Sequence, residues 1–180
     1  MLGALERTVS WTILIERGNL GFSAAHFVTI DGVSEPLHGH NFGVRVEVSG
    51  ELTANAFVFN FITLKDIVRT LCKQWDHCFL LPLNNPHLAI REISEDAWEI
   101  RVDARTRYVL PRTTVVALPI DNATTERLAE LLARRIAATL EERELGRNLR
   151  RLTVGIEETE MQTAFFTLQY PADQPDSPSP

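Results

Sequence analysis

Leu37-His-Gly-His-Asn-Phe-Gly-Val-Arg-Val-Glu-Val-Ser49 decides how this chain is read. His38, His40, Phe42, Val44, Val46 and Val48 fall on one parity, and Gly39, Asn41, Gly43, Arg45, Glu47 and Ser49 on the other. Side chains alternate faces along a strand, so the pattern predicts a half-buried strand whose two histidines share the apolar face. Upstream, Phe22, Ala24 and His26 repeat the phase within Phe22-Ser-Ala-Ala-His26. If the two strands pair, three imidazoles converge on one point. Three nitrogen donors with a fourth position open is the arrangement of catalytic zinc, whereas closed structural sites usually carry cysteine. The competing reading makes each ring an isolated core or surface histidine. Three of the five histidines, close together and in strand phase, weigh against it.

Composition narrows the class. At 180 residues, 44% hydrophobic and 23% charged, the chain fits one globular domain with a sizeable core. A net charge of −6 argues against a general nucleic-acid binder. Lys65 and Lys73 are the only lysines among 18 basic residues, an arginine bias to which no function is attached. Cys72 and Cys78 form no CxxC motif, so a reduced, cytoplasmic setting is expected. No long apolar span or signal-peptide pattern is present, and neither membrane insertion nor export is expected.

Outward from the decisive strand, Trp11, Ile13 and Ile15 alternate, and Gly18-Asn19 predicts a turn before the strand Phe22–His26. Thr29 to Pro36 reads as a loop containing Asp31-Gly32. Asn60 or Thr63 is placed to cap a helix, with Thr63-Leu-Lys-Asp66 resembling a capping box and Leu64, Ile67, Val68, Leu71 and Trp75 at helical spacing. A Pro/Asn-rich loop through Pro86 follows Asp76-His77. Trp98–Val102 with Arg107–Leu110 reads as a strand pair, and Val115–Leu118 as a short strand. A second helix is predicted from Thr124, with Leu128, Leu131, Leu132, Ile136 and Leu140 on one face and its end near Gly146. Leu152–Glu158 and Ala164–Tyr170 complete the strands. This order predicts one α+β domain over residues 1–170, an antiparallel sheet with both helices on one face. The Pro/Asp/Ser-rich tail 171–180 is expected to be disordered.

Phe22-Ser-Ala-Ala-His26, His38-Gly-His-Asn-Phe42, Asp76-His77, Asn122-Ala-Thr-Thr-Glu126 and Glu158-Thr159 occur in that order. Together they resemble the 6-pyruvoyl-tetrahydropterin synthase / 6-carboxy-tetrahydropterin synthase family. The resemblance implies the tunnelling fold, a four-stranded antiparallel sheet backed by two helices. It also implies ring assembly, commonly as hexamers of stacked trimers, with active sites at subunit interfaces and a small-molecule pterin as substrate. By the same resemblance His26, His38 and His40 hold zinc, and Asp76 with His77 forms the acid/base pair. Glu158 anchors the pterin ring with help from Thr124 and Thr125. The residue chemistry is compatible. Zinc acidifies bound hydroxyls, and a histidine beside a carboxylate moves protons near neutral pH. For His77 the alternative is a cationic cap on the preceding helix. Glu158 ends the apolar row Leu152-Val154-Ile156, and the alternative there is an arginine partner.

The chain departs from the family pattern where a cysteine usually stands four residues before the first histidine of His-Gly-His; here it is Ser34. A serine hydroxyl is too weak an acid to serve as a comparable base without activation. Cys72 lies in the helix pattern, and Cys78 beside His77 is the weaker substitute. Glu35 resembles the glutamate of one branch, associated with folate synthesis. The expected activity is therefore that of a zinc-dependent pterin lyase. It converts 7,8-dihydroneopterin triphosphate to 6-hydroxymethyl-7,8-dihydropterin, with Glu35 as base. The alternatives are 6-carboxy- or 6-pyruvoyl-tetrahydropterin synthesis, or a non-catalytic pterin-binding module. Asn60-Phe61 stands where Asp-Phe is usual. Asn84 to Ile120 is longer than in compact members, with an extra hairpin around Trp98–Pro111 and no assigned role.

Overall fold

A computed structural model describes residues 10–170; the remaining residues, the expected tail among them, lie outside the described part. In chain order the elements are β1 (Trp11–His26), β2 (Thr29–Ile30), β3 (Val33–Ser34), β4 (His38–Gly50), α1 (Phe61–Lys73), β5 (Cys78–Pro82), β6 (Ala89–Ser94), β7 (Ala97–Arg101), β8 (Arg107–Pro111), β9 (Val115–Leu118), α2 (Thr125–Glu142), β10 (Leu149–Thr159) and β11 (Gln162–Gln169). The main sheet has the order β11-β10-β4-β1-β5-β9. Its four long strands are antiparallel, as the alternating pattern predicts.

The phase of β1 changes along its length. Ile15 is buried before Glu16, whereas Leu20, Phe22, Ala24 and His26 are buried after it. Pairing with β4 jumps from Glu16↔Arg45 to Gly21↔Gly43, five steps along β1 against two along β4. The odd difference moves the buried parity from odd to even numbers. Gly18 takes φ +66° within this bulge, so the turn expected at Gly18-Asn19 is an irregularity inside one continuous strand. Gly21 completes it, because a Cβ there would collide with the Phe42 carbonyl oxygen.

Both helices pack on one face of the sheet. Asn60 caps α1, its side chain accepting from the N–H groups of Ile62 (2.9 Å) and Thr63 (3.2 Å), so the Thr63 box is not used. Leu64, Ile67, Val68 and Leu71 of α1 and Leu128, Leu132, Ile136 and Leu140 of α2 meet Val44, Val46, Val48, Leu152, Val154 and Ile156 of the sheet in one core. The helix α2 ends at Glu142, four residues before Gly146.

Between the two helices, two segments are more ordered than the sequence pattern predicts. Cys78–Pro82, read as loop, is a strand parallel to both β1 and β9. Its apolar run does not alternate because both faces are covered, the condition of a buried parallel strand. The extra hairpin is found as β7 and β8, and β6 makes it a three-stranded sheet. That sheet covers the face of β1, β5 and β9 opposite the helices, in a second core of Phe27, Phe79, Leu81, Trp98 and Ile100. Among the described residues no helix is long and apolar enough to cross a membrane.

If the bulge needs an unobstructed backbone at Gly21, Gly21→Ala lowers unfolding free energy by roughly 2 kcal/mol, the usual cost of forced overpacking. Urea titration reads this directly, and a variant as stable as wild type would show that the close approach does not matter.

Candidate metal centre and acid/base dyad

The register that pairs His26 with His38 and Ala24 with His40 brings three imidazoles to the sheet end. One donor atom from each of His26, His38 and His40 lies within 4.8 Å of the others. His26 is wholly buried, and its Nδ1 lies 2.8 Å from the Ala123 carbonyl oxygen, just before α2. A carbonyl only accepts, so Nδ1 carries the hydrogen and Nε2 keeps its lone pair. The Pro36 carbonyl, 2.8 Å from His38 Nδ1, orients the second ring in the same way. Burial holds His26 below its ordinary 6.5, favouring the neutral form that metal ions require. Its buried Nε2 has no hydrogen-bond partner, a costly state that a bound cation relieves. Three imidazoles whose donor atoms converge, two of them oriented by backbone carbonyls at the other ring nitrogen, fit a zinc ion.

Glu158 stands at this cluster. Its Oε1 lies 3.1 Å from His26 Nε2 and 3.8 Å from His40 Nε2. The nearer contact is not aligned as a hydrogen bond, since His26 Nε2 is left without one. Its neighbour Glu157 takes the other face and pairs with Arg45 at 2.6 Å. The strand phase thus assigns the two carboxylates to opposite sides.

Asp76 and His77 meet: His77 Nδ1 lies 2.9 Å from Asp76 Oδ2. The Ser23 N–H donates to Asp76 Oδ1 at 2.8 Å, and the His77 N–H donates to the Ser23 carbonyl at 2.6 Å. Those two bonds fix the dyad to β1, and His77 adopts φ +59° to make them. The Ser23 amide, followed by the His77 side chain, holds Asp76 below the usual aspartate value of 3.8. His77 does not cap α1, whose C-cap is Gln74. Its imidazole is 82% exposed. His77 and His40 border one open depression, whose wall includes Leu110 and Thr114 of the inserted segment.

Asp31 and Gly32, at φ +50° and +82°, make the tight turn between β2 and β3, so the stretch read as a loop is a small hairpin. This brings Glu35 back beside the end of β1. Its N–H donates to the Val28 carbonyl at 2.9 Å, and its Oε2 accepts from the Val28 N–H at 3.3 Å. Glu35 is half-buried two residues beyond His26 along that pairing, with its carboxylate turned to Val28 rather than to the histidines. The Ser34 hydroxyl is engaged with Thr29 Oγ1 at 2.8 Å, which also accepts from Asn85 Nδ2 at 3.1 Å. Cys72 is a core thiol pushed up to about 12 by burial. Cys78 is likewise raised by burial, and its Sγ donates to the Asp76 carbonyl at 3.4 Å.

Thr124 is the N-cap of α2, accepting from the Arg127 N–H at 3.3 Å, and Thr125 Oγ1 donates to Glu126 at 3.4 Å. Two structural roles escape sequence reasoning. Asn122 clamps the hairpin through both backbone groups of Thr29, at 3.0 and 2.8 Å, and the Ala123 carbonyl positions His26. The motif Asn122–Glu126 marks the place, but a carbonyl partner has no side-chain signature.

Known proteins share this architecture. The family model for 6-pyruvoyl tetrahydropterin synthase matches residues 17–169. A putative 6-carboxy-5,6,7,8-tetrahydropterin synthase of Methanocaldococcus jannaschii is 34% identical over 122 residues, covering 67% of this chain and 74% of its own. A dihydroneopterin monophosphate aldolase of Pyrococcus furiosus is 43% identical over 56 residues, 31% of this chain and 47% of that protein. Among solved structures, Plasmodium vivax 6-pyruvoyltetrahydropterin synthase, in a variant whose catalytic glutamate is replaced by alanine, aligns with a TM-score of 0.85 at 28% identity. That alignment covers 91% of this chain and all of the other. With the family match spanning most of its length, this α+β chain belongs to the 6-pyruvoyl tetrahydropterin synthase family.

Proposed function

We propose that this protein is a zinc-dependent pterin lyase that converts 7,8-dihydroneopterin triphosphate to 6-hydroxymethyl-7,8-dihydropterin, a step toward folate. The observation that carries the choice is the hairpin. It delivers the Glu35 carboxylate beside the end of β1 while the Ser34 hydroxyl is engaged with Thr29. Two relatives support it: the Plasmodium vivax enzyme whose catalytic residue is a glutamate, and the Pyrococcus furiosus protein named as an aldolase.

His26, His38 and His40 would hold the zinc ion, which supplies a Lewis acid for the hydroxyls of the substrate side chain. Glu158 takes the pterin amino group and adjacent ring N–H as a fork. Thr124 and Thr125 assist from the start of α2; Thr124 accepts from Arg127 and keeps its own proton to donate. Glu35 removes the proton of the 2′-hydroxyl. As that carbon becomes an aldehyde, the C1′–C2′ bond breaks and its electron pair passes into the ring C6=N5 bond. The Asp76/His77 pair returns a proton to C1′, leaving the hydroxymethyl group there and releasing a two-carbon aldehyde that carries the triphosphate. One proton leaves and one returns. The exposed His77 and the open depression suit a site completed by another copy of the chain, as in a hexamer of stacked trimers. The free thiols Cys72 and Cys78 accord with a cytoplasmic setting.

The name of the Methanocaldococcus jannaschii relative favours a second reading, 6-carboxy-tetrahydropterin synthesis. Ser34 in place of the usual cysteine counts against it. The assembled Asp76/His77 dyad counts against a module without chemistry.

Glu35→Gln keeps the shape of the side chain and removes its basicity. Turnover of 7,8-dihydroneopterin triphosphate falls by about 10²-fold or more, the usual worth of a general base, with zinc content unchanged. Undiminished turnover would sink the assignment. For the dyad, a folded value below 3.8 means that Asp76 adds stability above the unfolded value, and that this contribution fades as pH falls through the folded one. Carboxyl NMR titration should place Asp76 below 3.8; a value at or above it would contradict the Ser23 contact.

A further inference from the structure

We infer that Glu158 is a fourth metal donor in the substrate-free protein, and that it leaves the metal to take the pterin ring, so that ring recognition itself opens the coordination position. This rests on the zinc site and the ring anchor proposed above. It adds that the two roles of Glu158 exclude each other.

Glu158 leaves β10 at a register irregularity between Glu157 and Thr159, beside β4, the strand that carries His38 and His40. Two donors on one tetrahedral zinc ion with bonds of about 2.0–2.1 Å lie about 3.4 Å apart. The distances from Glu158 Oε1, 3.1 Å to His26 Nε2 and 3.8 Å to His40 Nε2, bracket that spacing. Hydrogen-bond logic points the same way. With Nδ1 given to the Ala123 carbonyl, the neutral His26 offers a lone pair at Nε2, and a carboxylate also offers only lone pairs. Two acceptors facing each other at this range repel unless a cation lies between them. A doubly protonated ring would instead align an N–H with the oxygen, and His26 Nε2 makes no such bond.

The shape of a pterin supplies the exclusion. Its amino group and adjacent ring N–H lie at the opposite end of the bicycle from C6, which bears the reacting side chain. A carboxylate among the histidines cannot hold the far end of a ring whose side chain reaches the same metal. Binding of the ring by Glu158 and binding of the metal by Glu158 are therefore antagonistic, and the coupling is reciprocal. In the absence of substrate the site stays closed to other hydroxyl ligands.

The test is the zinc dissociation constant of the full chain, measured by competition with a chromophoric chelator. Without pterin, Glu158→Gln weakens zinc binding by about tenfold or more, whereas Glu157→Gln, the same charge change on the other face of β10, leaves it unaltered. Unfolding curves of the metal-free variants confirm that both fold. Unsubstituted 7,8-dihydropterin, which offers the ring but no side-chain hydroxyl, then weakens zinc binding in wild type and has no effect in Glu158→Gln. Equal zinc affinity in wild type and Glu158→Gln would overturn the donor role. Pterin binding to wild type with no change in zinc affinity would overturn the exchange while the ring anchor stands. No pterin binding to wild type would overturn the ring anchor and the exchange with it, and the first measurement would still decide the donor.

Discussion

The odd step in the pairing of β1 with β4 is the constraint on which the site depends. Without it, a strand that buries Ile15 would point His26 away from His38 and His40. Gly18 and Gly21 allow the irregularity, one through a positive φ and the other through the absence of a side chain against Phe42. The main core then fixes the result, because a one-residue slip of β1 would expose Phe22 and a slip of β4 would expose Phe42, Val44 and Val46. The convergence of the three histidines is thus specified by the burial of apolar groups on the same strands.

From that point the site is held mainly by backbone. Carbonyl groups of Ala123 and Pro36 orient two imidazoles, and the Ser23 amide and carbonyl seat the Asp76/His77 pair. The loop before α2 joins two functions, since Asn122 clamps the hairpin that carries Glu35 while Ala123 holds His26. The histidine cluster and the Asp76/His77 pair differ in their relation to solvent. His26 is sealed in the core and His77 is largely open, which suits a proton carrier that meets a ligand delivered from outside. The face of the sheet away from the helices carries ion pairs such as Arg45 with Glu157 and Arg151 with Glu47. Pairs so partly exposed contribute little to stability and chiefly keep that face polar.

Much of this was legible in the chain. Alternation around His38–Val48 and Phe22–His26 gives the strands, the face and the convergence of three histidines, because period-two burial is a local property. The parity of Leu152, Val154 and Ile156 separates Glu158 from Glu157 for the same reason. Elements whose cause lies elsewhere in the fold were not legible. Cys78–Pro82 is a strand only because β1 and β9 pair with it while the main core and the inserted sheet cover its two faces, and a short unbroken apolar run carries no period. Asp31-Gly32 was visible, yet a turn pair without long flanking strands does not announce a hairpin. The contact of Glu158 with His26 joins residues far apart in sequence, and no spacing rule finds it.

Carbon–carbon cleavage with return of a proton to C1′ is the central claim, and one mass spectrum addresses it. Zinc-loaded protein is incubated with 7,8-dihydroneopterin triphosphate in D₂O, and the pterin product is isolated and fragmented. The proposed chemistry yields 6-hydroxymethyl-7,8-dihydropterin carrying a single non-exchanging deuterium on its hydroxymethyl carbon. A 6-carboxy or 6-pyruvoyl product, or a hydroxymethyl product without that deuterium, would contradict it.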